Sequence, residues 1–413
     1  MTYVNAVKYL KSVAENNSRG DLLRLWARMG APYRRIKYIR LAGSNGKTVC
    51  AEMLTSVLST AGYTVGCLRM PMRAEPKDNI CICGKAVSMD EFSQYVADTR
   101  AALKTAEAEG EALTITAEEL LLTVAVLAFT SRKCDLCIIE SDHFGADPST
   151  CLHAPLAAVI CGTIPNDDKG EIAKIRSYIS KGIQEIVSAP QNSDAYKIIS
   201  ETCYAINCRL TLPNRTAVEI TKRSLRGTEF SYKGNAYSLR LCGSFQVFNA
   251  VLVIEVAQML SRRGFNVSEA AIANGLKAVA IPSKFEVISL KPLIIVDSTH
   301  TPVAIEAVCD SMAEFKEVTP SRVKLCLPSR SLLDAYTHAL ERREYSIESA
   351  VLPVSEDNDS VASLSFPTAF GKTSVAIVTK ALEGLDNDTM LLISGTPSFV
   401  HDVRYKLLAK LGY

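Results

Sequence analysis

Two kinds of apolar pattern alternate along the first part of the chain. Short, nearly continuous apolar runs predict buried parallel strands over Tyr63 to Leu68, Cys134 to Ile139 and Ala157 to Thr163. Longer segments with apolar residues at helical spacing predict helices over Asp90 to Ala108 and Ala117 to Ser131. The alternation indicates βαβ units. It therefore predicts an α/β fold with a mostly parallel sheet flanked by helices.

The pattern changes in the middle of the chain. Ile172 to Val187 is predicted to be helical, and Phe248 to Arg263 has the same spacing. Between these helices, Ala205 to Leu241 is richer in strand-forming residues, and Lys233-Gly234-Asn235 is typical of a hairpin turn.

A second series of strands and helices begins near Ile288 to Pro292. We interpret it as a separate, smaller Rossmann-like α/β domain of residues 289–413, which leaves residues 1–288 as the larger domain. The predicted elements are strand Leu293 to Asp297, helix Pro302 to Phe315, strands Val323 to Leu327 and Met390 to Ser394, and helix Phe399 to Leu411.

Charge and composition narrow the range of partners. The formal net charge is +2 and the basic residues are scattered, so neither nucleic acid nor an anionic membrane is expected as a partner. No apolar run has the length of a membrane span and Met1 to Ser18 lacks a signal-peptide pattern, which favours a cytoplasmic location. The 13 cysteines are expected to be reduced, and Cys134-Asp135-Leu136-Cys137 lacks the second pair of a typical zinc site.

A turn with two glycines follows Ile39 to Ala42 and precedes the helical run Val49 to Ala61. Glycines permit positive φ angles and close backbone approach, so N–H groups at the helix start can bind anionic oxygens. The lysine of the turn supplies a cation, and its threonine supplies a hydroxyl group for Mg²⁺. We interpret it as a P-loop-type phosphate site, although its glycine spacing is a variant and an ordinary strand-to-helix turn is the alternative. The turn consists of Gly43, Ser44, Asn45, Gly46, Lys47 and Thr48.

Glu140 follows the strand predicted over Cys134 to Ile139. An acidic residue at the carboxyl end of such a strand helps to hold Mg²⁺ in P-loop proteins. Glu140 is therefore the candidate magnesium ligand, with Asp142 as its neighbour, and an acid that simply faces water is the alternative.

Further motifs carry a resemblance to a known family. Gly243, Gln246 and Asn249 form part of a Gly-x-x-Gln-x-x-Asn-Ala signature. Pro282 to Glu286 is similar to Pro-Gly-Arg-x-Glu, and Asp297 to Pro302 is similar to Asp-Gly-Ala-His-Asn-Pro. Together with the phosphate turn, these motifs resemble folylpolyglutamate synthase and dihydrofolate synthase, within the wider Mur ligase family, over nearly the whole chain.

The resemblance implies a ligase that depends on ATP and Mg²⁺. Such an enzyme converts a folate-like carboxylate to an acyl phosphate, which an amino acid, L-glutamate in the leading interpretation, then attacks. It implies that Gln246 and Asn249 bind the nucleotide, and that Asp297 contacts its ribose. The implied catalytic residues are Lys47, Lys181, Lys284 and His300, of which Lys284 also meets the ATP phosphates.

The implied substrates are therefore small molecules: ATP, an amino acid and a folate-like carboxylate. Because an ATP site formed between two domains needs no second subunit, a monomer is expected. Domain closure over the nucleotide is also expected.

A second metal site is implied by the same resemblance. Asp167 takes the place of a histidine in a Leu-Asp-His motif, and an aspartate oxygen suits Mg²⁺. Lys181 lies next to the position of a lysine that is carbamylated in the family. The alternatives are a turn residue for Asp167 and a solvated helix face for Lys181. The predicted metal ligands are Thr48, Glu140 and Asp167.

Several departures from the family leave a second interpretation open. Met70-Pro71-Met72 replaces a Ser-Pro-His segment, Ser141 to Gly145 replaces a glycine-rich loop, and Lys284 replaces an arginine whose fork binds phosphate. The chain is either a working ligase with an altered acceptor or a nucleotide-binding relative with a regulatory or partner-binding role. A P-loop kinase or GTPase is disfavoured, because the motif Asp297 to Pro302 has no place in it.

Overall fold

The structure is a computed structural model of the chain. It describes residues 1–14, 21–43, 45–73, 75–141, 144, 148–164, 169–179, 182–354 and 366–412. The chain divides into two compact units. The first unit is Met1–Arg215 with Phe248–Leu276, and the second is Thr216–Val247 with Lys277–Tyr413.

Helices and strands are numbered in chain order. The helices are α1 (Tyr3–Ala14), α2 (Leu22–Arg28), α3 (Lys47–Thr60), α4 (Met89–Ala108), α5 (Ala117–Ser131), α6 (Lys169–Tyr178), α7 (Ser193–Ala205), α8 (Ser244–Arg262), α9 (Glu269–Ala278), α10 (Pro302–Ala313), α11 (Arg330–Glu341), α12 (Ser374–Leu382) and α13 (Pro397–Leu411). The strands are β1 (Tyr38–Gly43), β2 (Val65–Leu68), β3 (Ile80–Ile82), β4 (Lys85–Ala86), β5 (Leu136–Glu140), β6 (Ala157–Cys161), β7 (Glu185–Ser188), β8 (Arg209–Thr211), β9 (Val218–Ser224), β10 (Gly227–Tyr232), β11 (Asn235–Leu239), β12 (Glu286–Leu290), β13 (Leu293–Asp297), β14 (Arg322–Cys326), β15 (Ser346–Pro353), β16 (Thr368–Gly371) and β17 (Thr389–Ser394).

The first unit contains an eight-stranded sheet in the order β4-β3-β2-β5-β1-β6-β7-β8. The strands from β2 to β8 in this order are parallel, and β3 and β4 form an antiparallel edge. β1 is buried along its whole length, and it pairs with β5 on one side and β6 on the other. The carboxyl ends of these central strands meet at one edge of the sheet, where ligands bind in open α/β proteins.

The second unit contains two sheets. β9, β10 and β11 form an antiparallel meander, and β12-β13-β17-β14-β15-β16 form a six-stranded sheet that is parallel except at β12. Separate apolar clusters surround β13, β14 and β17, so the middle of this sheet is buried.

The structure confirms the predicted α/β class. The helix Ala117–Ser131 and the strand Leu293–Asp297 have their predicted bounds, and Lys233 and Gly234 connect the paired strands β10 and β11. The single helix predicted over Ile172 to Val187 is wrong, because α6 ends at Tyr178 and β7 occupies Glu185–Ser188. A short apolar strand that is buried on both faces has no period that distinguishes it from a buried helix.

The predicted domain boundary after residue 288 stays a prediction. In the structure, β12 pairs with β13 and residues 216–247 group with the second unit. Residues on both sides of the predicted boundary therefore share one sheet.

One helix within the described part of the chain, α8, is long and apolar enough to cross a membrane by length and composition. Its sequence does not suggest a membrane span, because polar side chains interrupt its apolar run. In the structure, 67% of its most apolar window is buried, as in the core helix of a globular protein.

Candidate functional site

The glycine turn connects the central strand β1 to α3. Gly43 has a φ of 141°, and a Cβ atom there would lie 1.9 Å from the carbonyl oxygen of Cys161 on β6, so only glycine fits. Gly46 has a φ of 82° and occupies the N-cap position of α3, where no side chain caps the helix. An uncapped helix start after a tight glycine turn is the arrangement that binds phosphate oxygens.

Asn249 of α8 packs against this turn. A Cβ atom on Gly46 would lie 2.6 Å from the Oδ1 atom of Asn249. The Sγ atom of Cys50, in the first turns of α3, lies 3.9 Å from the same Oδ1 atom and from the carbonyl oxygen of Asn249. Two motifs that are far apart in the sequence therefore meet at the start of α3.

Glu140 is the last residue of β5 and is only 1% exposed. Its Oε2 atom accepts hydrogen bonds from the hydroxyl group of Thr48 at 3.2 Å and from the backbone N–H of Met70 at 3.4 Å. Its Oε1 atom has no hydrogen-bond partner among the described residues. The positive charge of Lys47 also acts on Glu140. The structure therefore brings together Lys47, Thr48 and Glu140, which the sequence singled out.

Burial opposes the ionisation of Glu140. Desolvation raises the pKa of its carboxyl group to about 7, although the charge of Lys47, the N–H of Met70 and the charges of Arg73 and Arg69 lower it. A buried carboxyl group with an unused oxygen beside a threonine hydroxyl is a set of hard oxygen donors that fits Mg²⁺. The described residues contain no group of three or more His, Cys, Asp or Glu side chains that could hold a metal, so these donors are a partial ligand set.

The backbone turn after β2 is held beside Glu140 by one side chain. Asn79 is fully buried, and its amide nitrogen donates to the carbonyl oxygens of Arg69 at 2.7 Å and Pro71 at 2.9 Å. Its amide oxygen accepts a hydrogen bond from the N–H of Arg73 at 2.9 Å. A single satisfied amide therefore fixes the backbone around Met70-Pro71-Met72.

A second buried carboxyl group lies at the end of β13 in the second unit. Asp297 is 2% exposed, and its Oδ2 atom accepts a hydrogen bond from the N–H of Phe285 at 2.7 Å. Its Oδ1 atom has no partner in the described part of the chain. Desolvation raises the pKa of Asp297, whereas the charge of Lys284 and hydrogen bonds from the side chain of Thr299 and the N–H of Phe285 lower it. Ser283 and Phe285 have φ angles of 58° and 50°, so Asp297 stabilises a strained segment that carries Lys284.

The remaining described candidates are less closely grouped. His300 is exposed after the end of β13, and Gln246 is fully buried in the first turn of α8. Ser44, Asp167 and Lys181 lie outside the described residues, so their predicted roles stay predictions.

Three residues of these sites were not found as site residues from the sequence. Met70 and Phe285 act through backbone N–H groups, which any residue other than proline could supply, so no residue type signals them. Asn79 was not among the residues singled out from the sequence. An asparagine directly before an apolar strand is a signal that could have identified it, since a buried amide must find partners.

The fold and these sites define the class of protein: an α/β protein with a P-loop-type turn and a second α/β unit. No family model matches the chain. It is 24% identical to the dihydrofolate synthase/folylpolyglutamate synthase of Bacillus subtilis over 94% of each chain. It is 26% identical to a probable bifunctional folylpolyglutamate synthase/dihydropteroate synthase of Halobacterium salinarum over 72% of this chain. The match spans only 37% of the length of that bifunctional relative.

Solved structures show the same fold. Folylpolyglutamate synthetase from Lactobacillus casei has a TM-score of 0.81 at 21% identity, over 99% of this chain and 100% of its own. A complex of FPGS with AMPPCP and folate has a TM-score of 0.78 at 21% identity, with the same coverage. The resemblance to folylpolyglutamate synthase and dihydrofolate synthase is therefore confirmed.

Proposed function

We propose that this chain is an ATP-dependent ligase that joins an amino acid, L-glutamate, to a carboxylate of the folate or pteroate type. The observation that carries the proposal is the grouping of Lys47, Thr48 and Glu140 at the carboxyl edge of the sheet. The similar proteins named as folylpolyglutamate and dihydrofolate synthases, and the complex with AMPPCP and folate, support the choice of ATP and of the acceptor class.

In the first step, an oxygen of the acceptor carboxylate attacks the γ-phosphorus of ATP. The bond from that phosphorus to the β–γ bridging oxygen breaks, and ADP leaves. Charge on the phosphoryl oxygens is stabilised by fixed cations and N–H donors, which Lys47 and the start of α3 supply. Thr48 and Glu140 would hold Mg²⁺, with Asp167 for a second ion, and the ion would supply positive charge to the phosphates.

In the second step, the amine nitrogen attacks the acyl carbon, phosphate leaves, and the amine loses a proton as the amide forms. The resemblance supports binding of ATP phosphates by Lys284, of ribose by Asp297, and of the nucleotide by Gln246 and Asn249. Lys181 and His300 complete the proposed catalytic set. We also propose that the protein acts in the cytoplasm as a monomer.

ADP release measured with folate or dihydropteroate and with glutamate tests the proposal. ADP is expected only when the acceptor and the amino acid are both present. Lys47→Ala is expected to lower the rate about 100- to 1000-fold, because it removes a positioned cation. Lys104→Ala, which changes an exposed lysine of α4, is the matched control and is expected to leave the rate unchanged. Binding of ATP without any ADP release would favour the non-catalytic relative instead.

A further inference from the structure

The turn after β2 carries two arginines with different surroundings. Arg69 is 9% exposed, forms an ion pair with Glu52 of α3, and donates to the carbonyl oxygen of Asp78 at 3.4 Å. Arg73 is exposed and forms no ion pair with any residue that the structure describes. One positive charge of this turn is therefore neutralised by a carboxylate, and the other is open to a ligand.

The position of Arg73 is fixed by the fold. Its N–H is bound by the fully buried Asn79 at 2.9 Å, and the same turn donates the Met70 N–H to Glu140. The Arg73 side chain therefore extends from a backbone that is fixed next to the proposed site of phosphoryl transfer. Its charge also acts on Glu140, whose pKa it lowers.

The order of strands places Arg73 on one particular side of this site. The sequence β2-β5-β1 puts Glu140 between the phosphate turn of β1 and the turn that carries Arg73. Adjacent strands are about 4.8 Å apart, so the two turns start on strands roughly 10 Å apart. In phosphoryl transfer the nucleophile approaches the γ-phosphorus in line with the leaving group, from the opposite side. In this strand order, the side of Glu140 away from the phosphate turn is the side of the turn that carries Arg73.

Three cations act on Glu140: Lys47, Arg69 and Arg73. Lys47 is assigned to the ATP phosphates and Arg69 is paired with Glu52, so Arg73 is the one of these three that can bind a second anion. A guanidinium group binds a carboxylate through two parallel hydrogen bonds.

We propose that Arg73 binds the reacting carboxylate of the acceptor and so selects anionic acceptors. This inference rests on the proposed ligase function. Arg73 is a specificity residue in this proposal, since the fold places it in the turn after β2 and not at the phosphate turn.

Steady-state kinetics of Arg73→Gln test the proposal. The substitution removes the charge and is expected to raise the KM for the acceptor about 10- to 100-fold, with the KM for ATP changed by less than about 3-fold. Arg73→Lys is expected to be intermediate, because an ammonium group cannot form the two parallel hydrogen bonds. The matched control is Arg35→Gln, an exposed arginine that precedes β1 and so lies toward the opposite edge of the sheet. It is expected to leave both KM values unchanged.

A binding measurement separates this inference from the ligase function. Wild-type protein is expected to bind folate about 10- to 100-fold more tightly than the folate analogue with both carboxyl groups converted to carboxamides, and Arg73→Gln is expected to lose that preference. An unchanged acceptor KM, an equal rise in the KM for ATP, or a wild-type protein without the preference would overturn the assignment of Arg73. Failure of the wild type to release ADP, with the preference present and dependent on Arg73, would contradict the ligase function alone.

Discussion

In each unit, a buried strand ends in a residue with a carboxyl group, and the two carboxyl groups hold different segments of the backbone. Glu140 at the end of β5 and Asp297 at the end of β13 are both buried, and each has one oxygen without a described partner. The other oxygen of Glu140 bonds the hydroxyl group of Thr48 near the ammonium group of Lys47. The other oxygen of Asp297 accepts a hydrogen bond from the backbone N–H of Phe285 at 2.7 Å, in a strained segment, and the hydroxyl group of Thr299 and the charge of Lys284 also act on this acid. The two acids thus have donors of the same types, and they differ in the backbone that they hold. Glu140 has only a long backbone hydrogen bond of 3.4 Å and lies at the phosphate turn, whereas Asp297 holds a strained segment through a short one.

The largest expected difference between the two acids is in activity. Glu140→Gln is expected to lower the rate of ADP release about 1000-fold, because an amide is a poor ligand for the Mg²⁺ that would stabilise charge on the phosphates. Asp297→Asn, at the proposed ribose contact and not at a proposed Mg²⁺ ligand, is expected to lower it only about 10-fold, as for the weakening of one hydrogen bond. Assays at saturating Mg²⁺ and ATP compare the two variants. Equal losses would contradict the distinction.

Glu140→Gln is expected to stabilise the protein while it inactivates it. The pKa of Glu140 is about 7 in the folded chain against an ordinary value of 4.5, so ionising it in the folded state costs about 3 kcal/mol. The folded state binds this proton more tightly, so wild-type stability falls as pH rises from about 4.5 to 7. The gain from the glutamine is therefore full above pH 7 and vanishes below about pH 4.5.

Urea unfolding of the nucleotide- and metal-free protein between pH 4.5 and pH 8 measures this gain. Glu107→Gln, which changes an exposed glutamate of α4, provides the control without a pH-dependent gain. A gain that is equal at both ends of the range would show that Glu140 ionises normally.

Support of the backbone by Asp297 is tested by two substitutions. Asp297→Asn keeps an oxygen for the N–H of Phe285, whereas Asp297→Ala leaves that buried N–H without its acceptor. The alanine variant is expected to be less stable than the asparagine variant by about 1–3 kcal/mol in urea unfolding. At Glu140 the corresponding difference is expected to be smaller, because the Met70 hydrogen bond is 3.4 Å long. Equal stability of the two Asp297 variants would argue against a supporting role.

The smallest expected effect concerns a neighbour of the Lys284 segment. Arg404 donates two hydrogen bonds of 2.6 Å to Glu286, which also accepts the N–H of Ser283 at 2.8 Å. Arg404→Gln is expected to lower the unfolding free energy by about 1 kcal/mol, since the pair is partly buried and bidentate. Arg322→Gln breaks two more exposed pairs, with Asp386 and Glu348, and is expected to have almost no effect. An equal effect of both substitutions would remove Glu286 from the support of this segment.

Much of the site was predictable because its signals are local. Lys47 and Thr48 are the last residues of a glycine turn between a strand and a helix, and Glu140 lies at the end of an apolar strand. Their proximity follows from the rule that parallel strands end at a common edge. The role of Asp297 was inferred from a resemblance, but its hydrogen bond to Phe285 was not predictable. That bond depends on positive φ angles, which no residue type in Ser283-Lys284-Phe285 indicates.

The alternation of strands and helices, the glycine turn and the order of the motifs can be predicted from the chain alone, since each depends on neighbouring residues. Three features become visible only in the folded molecule: residues 185–188 are a strand, Asn249 packs on Gly46, and Asn79 holds the turn beside Glu140. The raised pKa of Glu140 is a fourth. These features depend on burial and on hydrogen bonds between segments distant in the chain, which local periodicity does not encode.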